Sequence, residues 1–229
     1  MSDSPPPNAA DGPLVAPNYD CIIAVDIEAA GSPLDSWVFA VGICIIDLQT
    51  GTVVANPLIR IAPDEKHDHV FDLLCKHSPI PADLRKFFYP KQANFWEQHH
   101  SILNDLTDTG LQYTSDFAWH MVYQTIADAY TKFKHPIIAT DTCSFDIPWI
   151  SQRIFRHGIH DHGIQFRGDE WFASAFDIDS ALAVVTPETR RAIETAAKRV
   201  ATPNHSPDRD AAYIARVAMA LITKNLPRV

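Results

Sequence analysis

Positive charge is scarce in this chain of 229 residues: 19 lysines and arginines face 28 aspartates and glutamates, for a formal charge of −9. Taken alone, that balance argues against a protein that holds nucleic acid by bulk positive charge. Long apolar runs are missing too, and none approaches the ~18–20 residues that a membrane span needs. The opening MSDSPPPNAADGP has no basic region and no apolar segment, so no signal peptide is expected. Cysteine is sparse. Cys21, Cys44, Cys75 and Cys143 match no zinc spacing and no redox pair. Cys21 and Cys44 stand in apolar strand-like runs, where cysteine acts as a small hydrophobe, and an intracellular, cytoplasmic location is expected. There is no P-loop, no Gly-x-Gly-x-x-Gly and no Gly-x-Ser-x-Gly elbow. His157, His160, Asp161 and His162, and the pair His99 and His100, include no HExxH and read as structural or surface residues.

What remains has the composition of a globular domain, with 46% apolar and 21% charged residues. The length is enough to close a core without disulfides or a structural metal. Residues 1–18 hold five of the 17 prolines (Pro5, Pro6, Pro7, Pro13, Pro17) and read as a flexible tail. Residues 19–229 read as a single domain, and no internal repeat is present.

Three strand-like runs follow the tail: CIIAVDIE over 21–28, SWVFAVGICIID over 36–47 and TVVANPLIRIA over 52–62. The links between them are short, so an antiparallel meander is expected. Residues 63–90 read as loop with a helical turn or two. Spacings of three and four predict helices over 92–106 and 115–134. A short buried strand is expected over 137–140, then helices over 145–158, 177–184, 187–200 and 207–223. This order describes an α/β domain with a mixed sheet, antiparallel at first and parallel later.

Three groups of acids stand at the ends of these elements. Asp26 and Glu28 end the first strand two residues apart, so both side chains project to one face. Either they are solvated at a strand end, or they share a cation that removes their mutual repulsion. Asp146 follows the strand over 137–140 near the start of a helix. It is either an acid favoured by the helix dipole or a site residue at the place where α/β sheets hold their ligands. Ser206 and Pro207 suit the N-cap and first position of the last helix. His205 then lies on the entering loop and Asp210 in the helix, as part of a capped surface helix or as a pair aimed at one point.

In this order, the motifs DIE, SFD and HSPDRDA resemble those of the DEDDh group of the DnaQ-like 3′–5′ exonuclease superfamily, over roughly residues 20–223. The FWEQHH segment and the short SFD motif are similar to those of the exonuclease VIII-type branch. The sequence departs from the pattern at Asp141, which stands near the place of a frequent amide, and at Ala29 and Ala30, where threonine is common. Asp141 reads either as an outer partner of the site or as a structural cap.

The resemblance implies a ribonuclease H-like fold, two divalent cations (Mg²⁺ or Mn²⁺) and cleavage of nucleic acid 3′ ends, in DNA or RNA, to nucleoside 5′-monophosphates. It assigns Asp26 to both metals, Glu28 and Asp210 to the one that holds the nucleophilic water, and Asp146 to the second. It makes His205 the general base, which suits an imidazole that is neutral near pH 7. Phe95, Trp96, Phe145 and Trp149 are candidates to stack on terminal bases. No membrane partner is expected, and homodimers are common in such families. The competing readings are a ribonuclease H-like endonuclease or resolvase, and a catalytically silent nucleic-acid-binding module of the same fold.

The charge is unevenly spread. Residues 181–229 carry +4, from Arg190, Arg191, Lys198, Arg199, Arg209, Arg216, Lys224 and Arg228 against four acids, so residues 1–180 carry −13. The helices that bring His205 and Asp210 are thus the basic part and candidates to track a phosphate backbone.

Overall fold

The structure, a computed structural model, describes residues 18–30, 37–62, 95–96, 98–156 and 175–223. The expected tail except Asn18, residues 63–90, the run from His157 to His162, Lys224 and Arg228 lie outside them.

The first apolar run forms β1 (Cys21–Ala29), whose side chains are buried apart from the partly exposed Glu28. It pairs antiparallel with β2 (Val38–Asp47), so that Asp26 faces Gly42 and Glu28 faces Ala40. The expected strand over 52–62 is instead two short ones, β3 (Val53–Ala55) and β4 (Leu58–Arg60), both antiparallel to β2. Pro57 separates them. It has no N–H for the ladder, and its carbonyl accepts the Ile43 N–H at 3.1 Å. On the other side of β1 lies β5 (Pro136–Thr140), parallel to it, followed by the two-residue β6 (Phe176–Asp177), parallel to β5. The sheet order is β3-β2-β1-β5-β6, with β4 also on β2. This is the mixed, ribonuclease H-like α/β sheet that the sequence predicts, with helices against both faces.

The helices are α1 (His100–Leu106), α2 (Ser115–Lys132), α3 (Cys143–Arg156), α4 (Ile178–Ala183), α5 (Pro187–Val200) and α6 (Pro207–Thr223). The expected bounds of α5 and α6 hold. The helix expected over 177–184 is shorter by one residue at each end, because Asp177 is its N-cap and accepts the Ser180 N–H at 2.8 Å. Three other expectations need correction. α2 stops before residue 134 because the Asp20 carboxylate accepts the N–H groups of Lys134 (2.9 Å) and His135 (3.0 Å) and draws the chain off the helix. α3 starts before residue 145 because the Asp177 carboxylate accepts the Cys143 N–H at 3.2 Å. The helix expected over 92–106 breaks at His99, between the helical Phe95, Trp96 and Gln98 and α1.

Strand alternation divides the core. Ile23, Val25 and Ile27 pack with Trp119, Val122 and Ile150 of α2 and α3. Ile22 and Ala24 pack with Ile193 of α5 and Ile214 and Ala218 of α6. Asp26 and Glu28 continue the second row and therefore emerge beside the start of α6. Gly42 makes that approach possible: a Cβ there would overlap the carbonyl of Pro207, the first residue of α6. Among the described residues, no helix is long and apolar enough to cross a membrane.

Candidate active site

A cavity of about 430 Å³ opens where β1 and β5 end and α3 and α6 begin. Asp26, Glu28, Asp146, His205 and Asp210, far apart in sequence, all line it. Each arrives by a different local device.

Asp26 sits inside the ladder and is only 8% exposed, and its Oδ2 is buried without a hydrogen-bond partner. Asp146 comes from the first turn of α3 and is 1% exposed. The β1–β5 pairing stops at Ala24, and beyond it the Ile27 backbone N–H donates to the Asp146 carboxylate. The other oxygen of Asp146, Oδ2, is buried without a partner.

Asp210, in the first turn of α6, reaches back to the loop before it. Its Oδ1 accepts the Asn204 N–H at 2.9 Å and its Oδ2 the His205 N–H at 3.0 Å. These bonds secure His205 at a φ of 63°, a left-handed conformation that non-glycine residues adopt only when held. Ser206 begins the helix as expected, its carbonyl accepting from Arg209 and Asp210, while its hydroxyl donates to Asp208 at 2.6 Å.

The electrostatics follow from crowding. Burial pushes the Asp26 carboxyl well above the ordinary carboxylate range, and the charges of Glu28, Asp146, Asp210 and Asp141 push it further. Glu28 is raised by burial and then by Asp210 and Asp141. Asp146 is raised by burial and then by Asp141, against the stabilising Ile27 N–H. Asp210 rises to about 6, chiefly from burial, with the two backbone N–H groups opposing. His205 is lowered, by burial first and by His99 second, so its neutral form prevails at neutral pH.

The donors suit hard divalent cations. One ligand atom from each of Glu28, His205 and Asp210 lies within 4.8 Å of the others, and the same holds for Asp26, Asp141 and Asp146. Carboxylate oxygens are the ligands such ions prefer, and the two buried oxygens without partners are the kind of defect a cation relieves.

The aromatic candidates divide. Phe145 lines the cavity, and Phe95 packs edge-on against the His205 ring at 4.6 Å. Trp96 and Trp149 are not stacking platforms, since each is 1% exposed. Trp96 packs on Phe39 and donates its Nε1 hydrogen to the Ala29 carbonyl at 3.2 Å, which pins the end of β1. Trp149 belongs to the core between α3 and the sheet.

Some residues at the site were not singled out from the sequence. His99 reads there as structural or surface, yet its ring lies 4.4 Å from that of His205. No local signal marks it, because the sequence predicts an unbroken helix through His99 and the contact depends on the break there. Tyr213 also lines the cavity, as does Arg190, one of the basic residues expected along a phosphate backbone, which pairs with Glu194 at 2.7 Å. Tyr213 stands three residues after Asp210 on one helix face, a spacing the sequence displays. Of the basic residues expected along a phosphate backbone, Arg216 donates instead to the Gly51 carbonyl at 3.1 Å.

An antiparallel-then-parallel sheet with an acidic cavity at the carboxyl ends of its central strands defines a ribonuclease H-like α/β protein. Three solved structures of similar fold are nucleases. The structure of cell-death related nuclease 4 (CRN-4) matches with a TM-score of 0.51 and 11% identity, over 90% of this chain and 65% of its own. A 3′-exonuclease described in 3′-end specific recognition of histone mRNA stem-loop matches at 0.50 and 12%, over 91% of this chain and 84% of its own. The nuclease domain of 3′hExo, a DEDDh family member bound to rAMP, matches at 0.50 and 13%, over 91% and 94%. At these identities the likeness shows a shared fold. No family model matches the sequence, and no curated protein matches it significantly.

Proposed function

We propose that this chain is a divalent-metal-dependent 3′–5′ exonuclease that releases nucleoside 5′-monophosphates from the 3′ ends of nucleic acid. The observation that carries this reading is the meeting of Asp26, Glu28, Asp146, Asp210 and His205 in one cavity, with two buried carboxylate oxygens that lack partners. The shared fold supports it.

Asp26, Glu28, Asp146 and Asp210 would hold two cations, Mg²⁺ or Mn²⁺. Bound there, such ions stabilise the attacking and leaving oxygens of a phosphodiester displacement. The chain's own residues do the rest. The neutral His205 imidazole accepts the proton of the attacking water at a ring nitrogen. Asp210 fixes that imidazole through the backbone, and Phe95 and His99 pack against its ring. Phe145 offers a ring to the terminal base. A cavity this acidic grips a strand end through cations and a few contacts, and disfavours tight binding of long duplexes.

The test is to compare the parent protein and Asp26→Ala on linear and circular DNA and RNA, with Mn²⁺ or with EDTA. Degradation of linear substrate alone, dependent on both Mn²⁺ and Asp26, is the expected result. Cleavage of circles favours the endonuclease reading. A variant as active as the parent overturns the scheme.

A further inference from the structure

Asp141 belongs to none of the three acidic motifs, yet it lines the same cavity. It follows the last residue of β5 and is held on two sides. Its Oδ1 accepts the Thr142 N–H at 2.6 Å, and its carbonyl accepts the Asp179 N–H at 3.3 Å. One of its carboxylate oxygens lies within 4.8 Å of one from Asp26 and one from Asp146.

Three carboxylates at such separations repel one another unless a proton or a cation lies among them, and a side-chain hydrogen bond with Asp141 already raises the Asp146 carboxyl. Proteins keep buried acids together when something cationic sits among them. The second observation is independent of the clustering. Asp26 and Asp146 are more than nine-tenths buried, and each keeps an Oδ2 with no hydrogen-bond partner at a cavity wall.

We propose that Asp141 is a fifth carboxylate of the metal centre, completing with Asp26 and Asp146 a three-acid set for one divalent cation. This rests on the metal-dependent reading above and deepens it. Glu28 and Asp210 hold the other cation, so the two positions differ in their dependence on Asp141. The rival role is a turn cap. A cap needs only the oxygen that accepts from Thr142, and an asparagine side chain supplies that oxygen without the charge. Charge and cap are therefore separable by substitution.

The experiment is Mn²⁺ binding to the intact protein without substrate, with free Mn²⁺ counted by electron paramagnetic resonance. The parent, Asp141→Asn and Asp141→Glu are compared, with circular dichroism confirming the fold. The parent binds two Mn²⁺. Asp141→Asn retains one and weakens the other by at least about tenfold. Asp141→Glu, which keeps the charge, stays closer to the parent. Equal binding by the parent and Asp141→Asn overturns the proposal and leaves the functional reading intact. So does equal loss in Asn and Glu variants, or an Asn variant that fails to fold beside a Glu variant that folds without its second ion. A parent that binds no Mn²⁺ at all overturns the functional reading itself.

Discussion

Asp26 and Gly42 face each other across the β1–β2 ladder, and the missing side chain of Gly42 lets Pro207 rest on the sheet beside Asp26. One backbone position thus sets the distance between the first acid of the site and the helix that carries the last, Asp210.

Gly42→Ala tests that coupling. In an ordinary strand the change would stabilise by roughly 0.5–1 kcal/mol. Here the new methyl group overlaps the start of α6, and overpacking costs about 1–3 kcal/mol. The expected outcome is a lower midpoint in urea or heat together with reduced nuclease activity. A more stable and fully active variant contradicts the close approach.

Stability should also depend on pH in an unusual sense. The carboxyls of Asp26, Glu28, Asp146 and Asp210 are raised in the folded chain, so it binds more protons than the unfolded one. Stability from these groups is present at low pH and lost as pH rises through their folded values, which for Asp210 is about 6. His205 is lowered and acts the other way, its contribution being lost as pH falls, but it is one group against four. In EDTA, the melting temperature at pH 8 should lie below that at pH 5.5. Saturating Mg²⁺ should remove most of the difference. Calorimetry across that range checks both statements, and a metal-free protein that gains stability from pH 5.5 to 8 contradicts them.

His205→Asn separates chemistry from loop structure. Asp210 is held by backbone N–H groups that the substitution retains, and asparagine tolerates the left-handed φ. Turnover should fall about 10²–10⁴-fold with little change in KM or melting temperature, as measured by steady-state kinetics and thermal unfolding. Unchanged turnover between pH 6 and 9 removes His205 from the mechanism.

Phe145→Ala and Trp149→Ala should fail in different ways. Phe145 lines the cavity, so its loss should weaken strand-end binding by about 1–3 kcal/mol, read as a higher KM. Trp149 is buried in the core, so its loss should cost about 3–5 kcal/mol of stability. Denaturant titration beside substrate titration distinguishes them.

These contrasts mark what the sequence could display. The β-branched run of β1 and the proline-capped starts of α5 and α6 are local signals, so their elements were legible. Asp26, Glu28, Asp146, His205 and Asp210 lie at strand ends and helix starts, where each group alone also fits a solvated or capping role; the resemblance of the three motifs taken in order is what singled them out. The division of the aromatics was not legible. Phe145 and Trp149 lie one helical turn apart, and only packing turns one to the cavity and the other to the core. Nor was the approach of His99 to His205, which depends on a helix break 106 residues earlier in the chain. The division of the run over 52–62 was written in Pro57, whose missing N–H interrupts the ladder.

The most direct measurement is a time course on 5′-labelled single strands in Mn²⁺, with the released product identified by mass. The expected record is a ladder that shortens one nucleotide at a time from the 3′ end, with nucleoside 5′-monophosphate present from the first time point and no ladder with Asp26→Ala. Internal fragments appearing first, or a ladder of equal rate from Asp26→Ala, would contradict it.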